Sequence, residues 1–80
     1  MSTISITPDE VADLKGLNCP MPVLKTKKAL DKIESGKILQ VLLTDAGSKS
    51  DLPAMIKRTG NELLKMEEGD GLYTFYIKKK

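Results

Sequence analysis

The stretch Lys37-Ile38-Leu39-Gln40-Val41-Leu42-Leu43-Thr44 decides the fold of this chain. It is apolar at nearly every position, and it is bounded by Gly36 on one side and Asp45 on the other. A short, continuous apolar run between turn-forming residues is typical of a strand inside a sheet. We therefore predict a central strand over residues 37–44.

An amphipathic helix is predicted before this strand, from Pro20 to about Gly36. The residues predicted to be buried recur at helical spacing, and most of the helix's lysines fall between them. These residues are Val23, Thr26, Leu30 and Ile33. Pro20 and Pro22 suit a first helical turn, where backbone N–H groups have no acceptor within the helix. Residues 11–14 predict a short preceding strand, with Lys15 and Gly16 as the turn that follows it.

The remaining elements follow the central strand. Residues 46–49 predict a loop, and a second amphipathic helix then runs to Gly60, with Ser48 or Ser50 as its cap and Pro53 in its first turn. The apolar face of this helix consists of Leu52, Met55, Ile56 and Thr59. Residues 61–67 and 72–78 predict a hairpin around the turn at 68–71. In its last strand, alternation predicts that Tyr73, Phe75 and Ile77 pack while Thr74, Tyr76 and Lys78 meet water.

This order, β-α-β-α-β-β, predicts an α+β fold. We expect a two-layer sandwich in which two helices pack on one face of a mixed four-stranded sheet. Eighty residues allow one hydrophobic core, so residues 1–80 are interpreted as a single domain with its core at about 11–78. The first ten residues and residues 78–80 are expected to be loose ends.

The composition excludes several kinds of site. With one Cys and no His, the chain can form neither an intrachain disulfide nor a Cys–His pair, and no metal site or bound cofactor is expected. The net charge of +2, with three aromatic residues, disfavours direct nucleic-acid binding. The sequence shows neither a signal peptide nor a membrane span, so a cytoplasmic protein is expected.

Cys19 is the candidate catalytic residue. It directly precedes the proline-started helix and follows the first strand, at the sheet edge where parallel β-α-β units bind ligands. A thiol at a helix N-terminus ionises more readily than a free cysteine, and the thiolate is the nucleophile. Pro20 and Pro22 stiffen this helix start, but each also removes an N–H that could bond the sulfur. The alternative is that Cys19 is buried and structural, as free cysteines often are.

Four further residues are candidate partner or anion contacts: Met21, Lys25, Lys28 and Asp45. Lys25 and Lys28 lie one helical turn apart and either steer acidic partners or anionic sulfur species, or simply form a solvated helix face. Asp45 ends the central strand, where it either caps the following turn locally or belongs to the site.

The chain resembles the TusA/SirA-like family of sulfur carriers. The resemblance extends from Val11 to about Lys78 and is carried by the run Asp13-Leu14-Lys15-Gly16-Leu17-Asn18-Cys19-Pro20-Met21-Pro22, followed by Lys28, Gly36 and Thr44-Asp45. It implies the fold predicted above, and it implies that Cys19 accepts a sulfane sulfur as a transient persulfide. The implied partners are a donor protein, either a cysteine desulfurase or a rhodanese, and an acceptor protein.

Two departures from the family pattern bear on the pathway. Met21 stands where members that feed tRNA thiolation often have an acid, and Asn61 stands where a His is common. An alternative function is therefore thiosulfate processing, or thiosulfate uptake beside a membrane transporter, with the same cysteine. The chain would then be an enzyme, or an accessory protein of the transporter, rather than a carrier. A nucleic-acid-binding or regulatory module is the third alternative.

Overall fold

The computed structural model describes residues 7–18 and 20–80, which form six elements in the predicted order. The strands and helices are β1 (Glu10–Asp13), α1 (Met21–Lys32), β2 (Ile38–Leu43), α2 (Ala46–Arg58), β3 (Glu62–Gly69) and β4 (Leu72–Lys78). The α+β sandwich with two helices on one face of a mixed four-stranded sheet is confirmed.

The sheet has the strand order β1-β2-β4-β3. β1 pairs with β2 in parallel, whereas β4 is antiparallel to both of its neighbours, β2 and β3. It follows that β1, β2 and β3 run in one direction and β4 runs in the other. The predicted central position of β2 is confirmed, since it has a partner on each side.

The core lies between this sheet and the helices. In β2, Leu39, Val41 and Leu43 are buried while the residues between them are half-buried, because the helices cover one face of the sheet. The other core side chains are Leu14, Leu30, Leu52, Met55, Ile56, Phe75 and Ile77. The helix face predicted from spacing is confirmed, with Thr26 and Leu30 buried and Val23 and Ile33 packed against the core.

The prediction that Thr74 meets water is wrong, since its side chain is 8% exposed. Thr74 lies on the sheet face away from the helices, in an interior strand, opposite Leu42 on one side and Glu67 on the other. Close cross-strand neighbours shield a small side chain even on an open face. The hairpin itself is confirmed. Its two turn residues, Asp70 and Gly71, both have positive φ, which a two-residue turn needs if its twist is to match that of the two strands.

The start of α2 differs from the prediction. Residues 46–49, expected to be a loop, form the first turn of the helix, and the cap is Asp45 rather than Ser48 or Ser50. Pro53 consequently lies inside the helix rather than in its first turn, where it has no N–H to donate to the carbonyl of Lys49. The sequence pattern missed this turn because its apolar face begins only at Leu52.

The ends of the described chain are also more ordered than predicted. The backbone N–H of Asp9 donates to Ile38, which extends the β1–β2 pairing beyond Glu10. At the other end, Lys79 exchanges backbone hydrogen bonds with residues 36 and 37, and the Lys80 N–H donates to the Asn61 side chain. Residues 78–80 are therefore held to the sheet and to the turn after α1, which itself ends at Lys32, before Gly36.

Candidate functional site

The candidate site lies at the edge of the sheet where β1, β2 and β3 end, which we call the carboxyl edge. Both helices begin here, α1 at Met21 and α2 at Ala46, because each follows a strand that ends at this edge. A helix N-terminus carries roughly half a positive charge, so two such ends face this edge. Crevices at the carboxyl ends of parallel strands are common ligand sites.

The segment before α1, residues 14–18, is fixed to β2 by two hydrogen bonds. The N–H of Leu14 donates to the Leu42 carbonyl (2.8 Å), which continues the parallel ladder. The N–H of Gly16 donates to the Thr44 hydroxyl (3.0 Å), and Gly16 adopts a φ of +84°, a conformation that favours glycine. The segment thus turns sharply against the end of β2 before it reaches the helix.

Cys19 lies outside the described residues, so the prediction that it stands at or beside the helix cap is not tested. The residues on either side of it, Asn18 and Pro20, are both exposed. Pro20 is the capping residue of α1, and its side chain forms no capping hydrogen bond. The Met21 N–H, the donor left between the two prolines, bonds the Asn18 carbonyl (2.9 Å). The start of α1 therefore offers few N–H groups to a thiolate.

Pro22 anchors this helix start in the protein. Its side chain is fully buried, and its carbonyl accepts a 2.7 Å hydrogen bond from the hydroxyl of Thr26, which is also buried. Pro22 and Pro20 therefore differ in placement, one held in the interior and the other at the surface. The first turn of α1 is therefore fixed to the interior through Pro22.

Exposed apolar residues follow on the outer face of α1. Met21 is 41% and Leu24 is 49% exposed, and they lie on adjacent turns of one helix face. Lys25 and Lys28 are exposed as well. From the helix geometry, Lys25 stands about 6 Å and Lys28 about 10 Å along the axis from Met21. We call these four residues the α1 stripe.

Asp45 is the N-cap of α2, which confirms the local role that the sequence left open. Its carboxylate accepts from the backbone N–H of Ser48 (3.0 Å) and from the Ser48 hydroxyl (2.8 Å). The structure brings Asp45 and the residues that start α1 to the same carboxyl edge, joined through the bond of Thr44 to Gly16. Lys28 lies further away, towards the middle of its helix.

A charged cluster that the sequence analysis did not single out also lies at this edge. Lys49, in the first turn of α2, forms a 2.7 Å ion pair with Glu68 and lies 5.3 Å from the centroid of the Tyr73 ring. The hydrogen bond that the Lys49 ammonium donates to the Glu68 carboxylate raises the pKa of Lys49 above its ordinary value. The cluster ties the start of α2 to the hairpin, and its long sequence separation hides it from pattern analysis.

Two further properties of the described residues concern metal ligands and membrane spans. Over residues 7–18 and 20–80, no group of three or more metal-ligating side chains converges. In the same part of the chain, no helix is long and apolar enough to cross a membrane.

Comparisons with known proteins decide the family. A family model described as "Sulfurtransferase TusA" matches residues 10–79. The chain belongs to the TusA family. It is 48% identical to a sulfur carrier protein TusA from Allochromatium vinosum over 71 residues, which are 89% of this chain and 93% of that protein. It is 51% identical over 71 residues to a putative sulfur carrier protein from Halobacterium salinarum, with 88% of each chain covered.

The fold of a solved structure agrees with this membership in the TusA family. A SirA-like protein from Desulfitobacterium hafniense superposes with a TM-score of 0.77 at 31% sequence identity, over 86% of this chain and 95% of that one. The resemblance recognised from the sequence is therefore confirmed, both in sequence and in fold.

Besides the Lys49 cluster, the sequence analysis missed Thr44 and Leu24 in this site. Thr44 was noted as part of the family pattern, but its bond to Gly16 spans 28 positions and no local pattern announces it. Leu24 did carry a signal, because it falls outside the buried spacing of Val23 and Thr26. An apolar residue on the polar side of an amphipathic helix is a candidate contact.

Proposed function

We propose that this chain is a sulfur carrier, in which Cys19 accepts a sulfane sulfur from a donor protein and passes it to an acceptor protein. The proposal rests on the sequence identity of 48% over 71 residues to a relative named as a sulfur carrier protein TusA. The motif of Cys19 followed by Pro20 and Pro22 supports it, because Pro20 and Met21, which follow the cysteine in sequence, start a helix at the carboxyl edge.

The chemistry is a transfer without net oxidation or reduction. The Cys19 thiolate attacks the outer sulfur of a cysteine persulfide on the donor, and a new S–S bond forms while the old one breaks. The electron pair of the broken bond leaves with the donor's cysteine sulfur as a thiolate, and the transferred sulfur keeps its proton. Cys19 then holds a persulfide, and a thiolate of the acceptor repeats the exchange.

The geometry around position 19 supports exchange between proteins. Asn18 and Pro20 are exposed on either side of it, while buried Pro22 holds the helix start in place. A stiff presentation reduces the conformational entropy that docking must remove. The sulfur itself is the transient cargo, and we propose that no resident cofactor or metal takes part.

The α1 stripe is proposed as the contact for these partners. Met21 supplies adaptable apolar surface, since a thioether side chain fits irregular contacts. Lys25 and Lys28 supply positive charge beside it, which suits a donor or acceptor with an acidic rim. A cysteine desulfurase or a rhodanese is the proposed class of donor. The cytoplasm is the proposed compartment, where thiols stay reduced.

Intact-mass spectrometry tests the carrier function. Incubation with a cysteine desulfurase and L-cysteine should add one sulfur, about 32 Da, which a reductant removes. Cys19→Ala should carry no adduct. An adduct that persists in Cys19→Ala, or no adduct on the unaltered protein with either class of donor, contradicts the proposal. Release of sulfite from thiosulfate without any donor protein would favour the alternative thiosulfate chemistry.

A charge-reversal pair tests the partner contact. Lys25→Glu/Lys28→Glu should slow sulfur uptake from the donor roughly tenfold or more at low salt, because rim charges act mainly on association. Lys57→Glu/Arg58→Glu is the matched control, since it changes the charge equally at the last turn of α2, away from the carboxyl edge. Equal slowing by both pairs would show that net charge, rather than the α1 stripe, sets the rate.

A further inference from the structure

The hydroxyl of Thr44 connects two parts of the carboxyl edge that are far apart in sequence. It accepts the N–H of Gly16 at 3.0 Å, across 28 positions. Thr44 itself sits between β2, which ends at Leu43, and Asp45, which caps α2. Both of its neighbours are thus held by regular structure, so Thr44 offers a fixed point to a segment that belongs to neither helix nor strand.

The other hydrogen bonds of residues 14–18 are local or continue the sheet. Leu14 extends the ladder to Leu42, the N–H of Leu17 returns to the Leu14 carbonyl at 3.3 Å, and the N–H of Lys15 bonds the Asp13 side chain at 3.2 Å. The Thr44 bond is a side-chain contact that ties this segment to the β2–α2 junction.

We infer that Thr44 is a positioning residue for sulfur transfer: by holding Gly16, it fixes residues 14–18 in the conformation that a sulfur donor docks against. This inference rests on the proposed function. Leu14 and Leu17 on either side pack into or against the core. Gly16 between them has no side chain and adopts φ +84°, and open space lies where a side chain would begin, so Gly16 itself makes no packing contact there. The hydrogen bond to Thr44 therefore supplies a restraint at Gly16 that side-chain packing cannot supply.

Three variants separate this role from simple stabilisation. Thr44→Val keeps the shape of the side chain and removes the acceptor, whereas Thr44→Ser keeps the acceptor. Thr59→Val is the matched control at the opposite end of α2, where the threonine hydroxyl bonds the carbonyls of Met55 and Ile56. Each variant is measured for sulfur uptake from a desulfurase supplied with L-cysteine, and for alkylation of Cys19 by iodoacetamide.

Thr44→Val should take up sulfur roughly three- to tenfold more slowly, as expected from the loss of one hydrogen bond. Thr44→Ser and Thr59→Val should stay within about twofold of the unaltered protein, and alkylation, which needs no docking, should change by less than about twofold throughout. The inference is overturned if Thr44→Val takes up sulfur at the unaltered rate, or if Thr44→Ser is as slow as Thr44→Val. It is also overturned if Thr59→Val slows uptake as much as Thr44→Val does. A parallel loss of alkylation would overturn it too.

Amide hydrogen exchange keeps the inference separate from the proposed function. Thr44→Val should speed exchange of the amides of residues 15–18 and leave those of β2 unchanged, since the bond restrains that segment alone. If the unaltered protein takes up no sulfur, the carrier proposal fails by itself, and exchange still decides whether Thr44 holds the segment. Unchanged exchange in Thr44→Val would overturn the positioning role.

Discussion

Replacement of Asp45 tests whether its role is the helix cap alone. Its carboxylate accepts two hydrogen bonds from Ser48, whose side chain is 0% exposed. Asp45→Ala therefore removes the cap and also leaves a buried hydroxyl without this acceptor. Asp45→Asn keeps an oxygen in the same place, and asparagine caps helices about as well as aspartate.

The expected loss follows from these two contacts. Removing an N-cap side chain costs about 1 kcal/mol, and a buried hydroxyl left without a partner costs about 1–3 kcal/mol. Asp45→Ala should thus lower the free energy of unfolding by about 2–4 kcal/mol, out of the roughly 4–12 kcal/mol typical of 80 residues. Asp45→Asn should lose less than about 0.5 kcal/mol.

Urea unfolding followed by circular dichroism measures this loss. With a slope of about 1 kcal/mol per molar urea, the midpoint for Asp45→Ala should fall by roughly 2–4 M. The double variant Asp45→Ala/Ser48→Ala should lose less stability than the two single variants added together, because it no longer contains a buried hydroxyl without an acceptor. The reasoning fails if Asp45→Ala and Asp45→Asn are equally destabilised. It also fails if a stable Asp45→Asn loses most of its sulfur uptake, which would give Asp45 a direct role in the site.

Three further predictions concern stability elsewhere. Gly71→Ala should lose about 1 kcal/mol in urea unfolding, because φ is +79° there; a loss near zero would contradict the turn assignment. Glu68→Gln should destabilise the protein slightly at neutral pH. Because the pKa of Lys49 is raised in the folded protein, the ion pair contributes its full stability at pH values below the pKa of Lys49 in the unfolded chain. This contribution is lost as pH rises through the pKa of Lys49 in the folded protein, so Glu68→Gln and the unaltered protein should be equally stable in strong alkali. A difference in stability that persists there would contradict the ion pair. Lys79→Met should speed amide exchange at the end of α1, since its ammonium bonds the Leu30 carbonyl at 2.7 Å; unchanged exchange would show that the contact does not hold the helix end.

The buried faces of this protein were predictable because they follow local periodicity. The spacing of Thr26 and Leu30 placed one side of α1 in the core, and both residues are buried. Phe75 and Ile77 alternate in the last strand and are buried as predicted. Thr74 was misplaced because its burial comes from neighbouring strands, which a pattern within one strand cannot show.

The candidate site was predictable in part. The motif around position 19 and the family resemblance identified the segment, and the structure places its described flanks at the start of α1. The start of α2 was misplaced because a capping carboxylate and a buried serine carry no apolar signal. Asp45 nonetheless stood among the candidates, with its capping role as one of two interpretations.

By itself, the sequence determined the order of the six elements and the core-facing residues of α1, α2 and the last strand, since these depend on residue type and short spacing. It also singled out Cys19 as the candidate site residue. Tertiary structure alone decided that Thr44 bonds Gly16, that Lys49 pairs with Glu68, and that residues 79–80 are held in place. Each of these contacts joins residues 19 to 43 positions apart. Such contacts depend on which strand ends meet at one edge of the sheet, and that is settled only when the whole chain has folded.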